Sequence, residues 1–370
     1  VTATGRLAPS PTGLLHLGNA RTLVLAWLQM RALSGRLLLR IEDLLPDAPE
    51  HLPGLLDDLL WLGLDWDHEP LPGDLWQPQT ALDGLQRPVA GLCLQSSRHG
   101  LYDAVLEALT NAGQVYPCIC TRKDIEQAAR APHVEDKGLA YPGTCRGRFA
   151  SLADAHEADE QRQRALGKPP LGVALRLQVP DQPVSFVDAL RGPITVHLPS
   201  DSGDMVVRRK DGGHAYMLAV VVDDLAQGVT HVLRGDDLLE VTGQQLAVYA
   251  ALQKVAGQVL SQPLATDGLQ QLWQRARSWQ PPKHWHVPLV LGDDGRRLAK
   301  RNQSLHLSQL RGSGVEAAAV RRWIAQSCGL GPLDDLQAMA AALDLGRLPL
   351  QPVRFGELER QELAQYEDNL

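Results

Sequence analysis

Apolar residues at Leu23, Ala26, Trp27, Met30 and Leu33 recur at the three- and four-residue spacing of one helix face. Asn19 stands where an N-cap belongs, and Gly35 stands where the helix would stop. Residues 36–43 then form a short β-compatible run that ends in the carboxylates Glu42 and Asp43. Residues 5–43 therefore read as strand, turn, helix and strand. Such a βαβ unit seeds a parallel sheet and predicts an α/β fold, with ligands expected at the carboxyl ends of the strands.

Further along, the pattern is less regular. Residues 68–98 are rich in Pro, Gly, Gln and Asp without a period, as in a long surface loop or insertion. A helix is expected over 101–112 and a strand over 230–234. Between them the run 217–222 is ambiguous: its β-branched residues favour a strand, yet 216–227 followed by Gly228 suits a capped helix. The Gln-rich, Trp-containing stretch 254–280 reads as a second insertion, and 315–329 suits an amphipathic helix. The resulting division has a core in two halves, 1–100 and 184–253, and an inserted subdomain at 101–183. An insertion with a basic loop follows at 254–310, and a small, mostly helical C-terminal region at 311–370.

A chain of 370 residues can carry two or three domains, and its 44% hydrophobic and 21% charged residues are ordinary for a globular protein. No apolar run approaches the roughly 20 residues of a membrane span, and no basic segment precedes an apolar one at the start. These features predict a cytoplasmic protein without a membrane partner; a monomer is expected. A net charge of −7 argues against nonspecific nucleic-acid binding but leaves an RNA partner open. Three basic clusters, Arg208 to Lys210, Arg296 with Arg297, and Arg321 with Arg322, could serve RNA, although each is more often a solvated face.

Five cysteines, with Cys118 and Cys120 one residue apart, fit a reduced compartment and a metal site better than a disulfide framework. With Cys145 they make three thiolates, and a fourth ligand would complete tetrahedral zinc, though three unrelated cysteines would read the same way. Cys93 and Cys328 read as ordinary thiols. The glycine-bearing turn at 12–19, running into a helix N-terminus, offers the converging N–H groups that nucleotide phosphates need. In it His16 can donate to a phosphoryl oxygen and Gly18 leaves room for the nucleotide. Alone, such a turn is more often structural.

Four segments in order change that reading, because together they resemble the class I glutamyl-type aminoacyl-tRNA synthetases. Residues 6–19 resemble that family's HIGH region, residues 40–43 its second signature, residues 216–235 its third, and residues 295–301 its lysine-bearing KMSKS loop. The resemblance implies a Rossmann-type parallel-sheet catalytic core with an inserted zinc-containing subdomain. It also implies adenylate chemistry on ATP and L-glutamate, with Mg2+ accompanying ATP. For glutamate, Arg6 and Arg234 would fork onto carboxylates, Glu42 would take the ammonium, Tyr216 and Ser10 would add neutral hydrogen bonds, and the backbone near Ala8 would line the site. His16, Gly18, Asn19, Arg297 and Lys300 would serve ATP, with His16 and Lys300 as the catalytic groups. Asp223, Asp224, Asp236 and Asp237 read as caps and turn residues. Two positions depart from the family pattern: Ala299 stands where a serine is usual, and Asn19 where HIGH ends in histidine.

The cysteine segment resembles the Cys-x-Cys and Tyr-x-x-x-Cys site of one branch of that family, which would make Tyr141 the fourth zinc ligand, with His133 as the alternative. Only residues 302–370 follow the lysine loop, too few for a large anticodon-binding region. The chain therefore resembles a shortened branch that transfers glutamate to queuosine in the anticodon stem-loop of tRNA(Asp). A truncated charging enzyme acting on a tRNA 3′ end, or a noncatalytic RNA- or glutamate-binding relative, remain as alternatives.

Overall fold

The computed structural model describes residues 2–45, 48–68, 90–128, 140–264, 266–292, 294–296, 298, 306–356, 359 and 363. His133, Arg297, Ala299 and Lys300 lie outside them, as does the stretch 69–89 of the expected loop. In chain order the described strands are β1 (Thr4–Leu7), β2 (Arg36–Ile41), β3 (Leu92–Leu94), β4 (Val115–Cys118), β5 (Ala174–Leu177) and β6 (Val184–Asp188). They continue with β7 (Gly192–Val196), β8 (Met205–Arg208), β9 (His231–Gly235), β10 (Lys283–Val287), β11 (Val290–Leu291) and β12 (Val353–Arg354).

A strand covered on both faces needs a continuous apolar run rather than an alternation. Leu37, Leu38 and Leu39 in β2 follow one another for that reason, and all three are fully buried. β2 pairs in parallel with β1 on one side and β3 on the other. In the second sheet, β9, β10 and β6 lie side by side in parallel, and β7 closes the edge as an antiparallel hairpin with β6. The Thr230 amide donates to the Thr4 carbonyl at 2.9 Å, which brings the start of β9 beside β1. The chain thus winds outward from β1 through β2 to β3, then outward from β9 the other way. The order reverses between β1 and β9, at the point where parallel sheets place their ligands.

The helix Leu17–Ala32 crosses between β1 and β2 and is buried along most of its length. Its N-cap is His16, whose Nδ1 accepts from the Asn19 amide at 3.2 Å, so Asn19 sits inside the first turn instead of capping it. Arg21, fully buried, donates to the Pro288 carbonyl and to Ser327, tying this helix to the C-terminal helix Ala317–Ser327.

The ambiguous run is helical. Tyr216–Gln227 forms a helix that ends at Gly228, whose φ of 65° lies in the left-handed region favoured by glycine. Its β-branched residues do not make it a strand, because the helix is buried nearly all round among the helices His99–Asn111, Val241–Val259 and Asp267–Arg277. Residues 254–280 are accordingly no surface insertion. Within them, 254–259 and 267–277 belong to the last two of those helices, on the connection from β9 to β10, with Trp273 2% exposed in the core. Within 68–98, the segment Leu92–Leu94 is the third parallel strand rather than loop.

A separate antiparallel sheet of β4, β5 and β8 carries the cysteine region, so its last strand comes from beyond residue 183. The C-terminal helices Leu307–Gly312, Ala317–Ser327 and Leu336–Ala342 pack on the first half of the core, where β12 pairs with β11 and Phe355 meets Trp323 edge-on at 5.1 Å.

Candidate active site

A cleft of about 350 Å³ opens at the switch point between β1 and β9. Arg6, Ala8, Ser10, His16, Gly18, Asn19, Glu42, Tyr216 and Arg234 all line it. Leu298, which stands in the lysine loop between Arg297 and Lys300, lines it too. The sheet explains the convergence: Arg6 and Arg234 are near the carboxyl ends of β1 and β9, Glu42 follows β2, and the turn 10–16 leads into the first helix.

The two arginines are nearly buried, at 6% and 5% exposure. Arg6 reaches the Leu233 carbonyl with Nη1 at 3.5 Å, while its Nε stands 3.7 Å from Asp224 and makes no hydrogen bond among the described residues. Arg234 has no carboxylate within 4 Å among the described residues, and burial lowers its pKa. Glu42 accepts from Ser10 Oγ at 3.3 Å and from Arg40 Nη2 at 3.4 Å. Burial raises its carboxyl above the ordinary value against the pull of Arg40 and Arg6. Burial, helped by Glu42, pushes the Tyr216 phenol up to about 12, so it acts as a neutral hydroxyl. Two guanidinium forks with the Glu42 carboxylate and a neutral hydroxyl in one cleft suit a small zwitterion with an additional acid group. Because the helix cap uses His16 Nδ1 as acceptor, a neutral ring carries its proton on Nε2.

Beneath the cleft lies a polar layer that the sequence reading missed. Asp223 and Asp224 are neither caps nor turn residues; they face inward from the middle of the helix Tyr216–Gln227. Asp224 accepts from Arg40 at 2.6 Å, and Asp223 from Arg98 at 2.6 Å, Gln95 at 2.8 Å and Tyr102 at 2.9 Å. Adjacent carboxylates in an otherwise apolar helix were the available signal, since burial obliges each to find a cation. Asp236 sits in the turn after β9 and pairs with Arg191 at 2.7 Å, while Asp237 lines the cleft.

At the end of β4 the sulfurs of Cys118, Cys120 and Cys145 lie within 4.8 Å of one another. Tyr141 Oη stands 3.3 Å from Cys118 and 3.7 Å from Cys120, so four donors converge with the dimensions of a tetrahedral metal site. The Cys120 and Cys145 thiols, hydrogen-bonding to Cys118, draw its pKa down toward the thiolate. Arg176 Nε donates to Cys118 at 3.3 Å, and its guanidinium lies 3.7 Å from the centre of the Tyr141 ring, so a cation backs the donor set. Tyr141 is held by pairing with the 202–203 backbone; at Gly203, with φ of 66°, a Cβ would overlap the Tyr141 backbone. Cys93 is a buried thiol, which burial pushes up to about 12, and Cys328 is also buried.

Two basic clusters are partly consumed inside the protein. Arg321 and Arg322 bind Asp334 and the Leu62 carbonyl, while Arg209 pairs with Asp211 and Lys210 donates to the Ile119 carbonyl.

Comparison with known proteins identifies the family. Residues 2–272 match the catalytic domain of the class I tRNA synthetases for E and Q. A glutamyl-Q tRNA(Asp) synthetase of Nitratidesulfovibrio vulgaris is 43% identical over 89% of this chain and 87% of its own. That of Symbiobacterium thermophilum is 40% identical over 95% of both chains. Among solved structures, a glutamate tRNA ligase of Elizabethkingia meningosepticum superposes with a TM-score of 0.68 at 22% identity, covering 99% of this chain and 70% of that one, a likeness of fold. The chain therefore belongs to the class I tRNA synthetases for glutamate and glutamine, in the branch of the glutamyl-Q tRNA(Asp) synthetases.

Proposed function

We propose that the chain activates L-glutamate with ATP and transfers the glutamyl group to the queuosine base in the anticodon of tRNA(Asp). The observation that carries the first step is the pair of buried arginines, Arg6 and Arg234, meeting Glu42 and Tyr216 in one cleft at the switch point. Arg6 and Arg234 bind the carboxylates of glutamate, Glu42 takes the ammonium, and Ser10 and Tyr216 fix the orientation. The α-carboxylate oxygen then attacks the α-phosphorus of ATP, and pyrophosphate leaves. His16 Nε2–H, Gly18 and Asn19 at the helix N-terminus receive the phosphates, and Lys300 with Arg297 would neutralise the departing charge. Magnesium, bound with ATP, supplies further charge to the phosphates. No protein nucleophile takes part, because positioning and charge stabilisation suffice for adenylate formation.

In the second step a hydroxyl of the cyclopentenediol of queuosine attacks the glutamyl carbonyl and AMP leaves. The names borne by the relatives support this acceptor, with the anticodon stem-loop of tRNA(Asp) as partner. Cys118, Cys120, Tyr141 and Cys145 would hold one zinc ion, a structural crosslink for the inserted region.

Labelled glutamate and ATP with tRNA(Asp), with and without queuosine, test this reading. Base-labile label should appear only on the modified tRNA and equally on an isolated queuosine-containing anticodon stem-loop, and Lys300→Ala should abolish it. Equal transfer to both tRNAs, lost when the terminal adenosine is trimmed, would instead mark a charging enzyme.

A further inference from the structure

Three adjacent strands end in a row of polar side chains that reach the cleft only through Arg234. Asp188 closes β6, His286 lies in β10 and Arg234 in β9; the parallel register sets His286 opposite Arg234 and Asp188 opposite His284. Their exposures are 1%, 0% and 5%. Asp188 Oδ2 lies 2.7 Å from His286 Nδ1, and Arg234 Nε donates to His286 Nε2 at 3.0 Å. A carboxylate only accepts and a guanidinium only donates, so the ring between them is neutral and carries its proton on Nδ1. The Leu190 and Arg191 amides fix Asp188 in turn, at 3.0 and 2.8 Å.

Arg234 Nη2 donates to the fully buried Thr242 hydroxyl at 2.8 Å. Nε and Nη2 form one edge of the fork, and both are engaged. Nη2 also reaches the Leu238 carbonyl at 3.4 Å, so Nη1, which makes no hydrogen bond among the described residues, is the end left for a ligand in the cleft that Arg234 lines. A carboxylate in contact with Arg234 would have held it equally well but would have cancelled the charge an incoming acid needs. A neutral imidazole and a hydroxyl fix the direction of the fork and leave its charge without a carboxylate in contact.

We propose that Asp188, His286 and Thr242 are positioning residues that aim the Nη1 end of Arg234 at a ligand carboxylate and so set the affinity for the amino acid. The substrate named here rests on the glutamate reading above. The test is glutamate-dependent ATP–pyrophosphate exchange by the full chain, with KM for glutamate, KM for ATP and kcat measured separately. His286→Leu and Thr242→Val should each raise the glutamate KM about 10- to 100-fold, as for a displaced charged hydrogen bond, with the ATP KM little changed. His286→Gln, whose carbonyl can accept from Nε while its amide reaches Asp188, should recover most of the loss. A folded His286→Leu or Thr242→Val with the wild-type glutamate KM, or variants raising both KM values alike, would overturn the proposal. Absence of any glutamate-dependent exchange in the wild type would instead sink the glutamate reading. Histidine 15N shifts then decide the relay by themselves: at neutral pH His286 should be protonated on Nδ1 alone, and protonation on Nε2 would overturn it whatever the cleft binds.

Discussion

Glu42 rests on a floor of alternating charges: Arg40, wholly buried, between Asp224 and Glu42, and Arg98 beside Asp223. Removing water from so many ions is costly, and their pairing offsets that cost only while every partner is present. Arg40→Met leaves Asp224 without its 2.6 Å donor and is expected to cost about 3–5 kcal/mol, read by urea denaturation. At this scale the sequence was legible where a motif fixed both residue and place, as for Arg6, Glu42 and Arg234. It was illegible for Asp223 and Asp224, because a carboxylate's role depends on which helix face it occupies, and a buried face is defined only by what packs on it.

At the scale of elements, the helix Ala48–Trp61 presents Asp58, 1% exposed, to the core side. Burial raises its pKa from 3.8 to about 6, only partly countered by Arg311 at 3.9 Å. The folded form therefore holds this proton more tightly than the unfolded chain does. Stability from this group is present at low pH and lost as pH rises between about 4 and 6. Asp58→Asn should flatten that slope and stabilise the protein at pH 7 by up to about 3 kcal/mol, measured by denaturation at the two ends of the window. Element type followed the sequence where spacing was regular, as in the first βαβ unit. It did not for 217–222 or 254–280: in the first, a β-branched run is compatible with either element, and in the second, a Gln-rich composition hid an apolar stripe around Leu272, Trp273 and Ala276.

Across the whole molecule, the cysteine cluster forms a small core of its own with Tyr116, Ile119, Ala155 and Val173, distinct from the two larger cores, and none of its residues lines the cleft. If zinc occupies it, removal by a chelator should leave glutamate-dependent pyrophosphate exchange within about twofold while disrupting transfer to tRNA, with metal content followed in parallel. Exchange and transfer falling together would contradict this separation. By itself the sequence determined the α/β class, the family and many of the residues that line the cleft, because those depend on local periodicity and on residue types at set spacings. Only the tertiary structure decided the reversal of strand order between β1 and β9, the ion layer below Glu42 and the row from Asp188 through His286 to Arg234. Each brings together residues tens to hundreds of positions apart, and strand register and burial, which set those contacts, are properties of the assembled sheet rather than of any one segment.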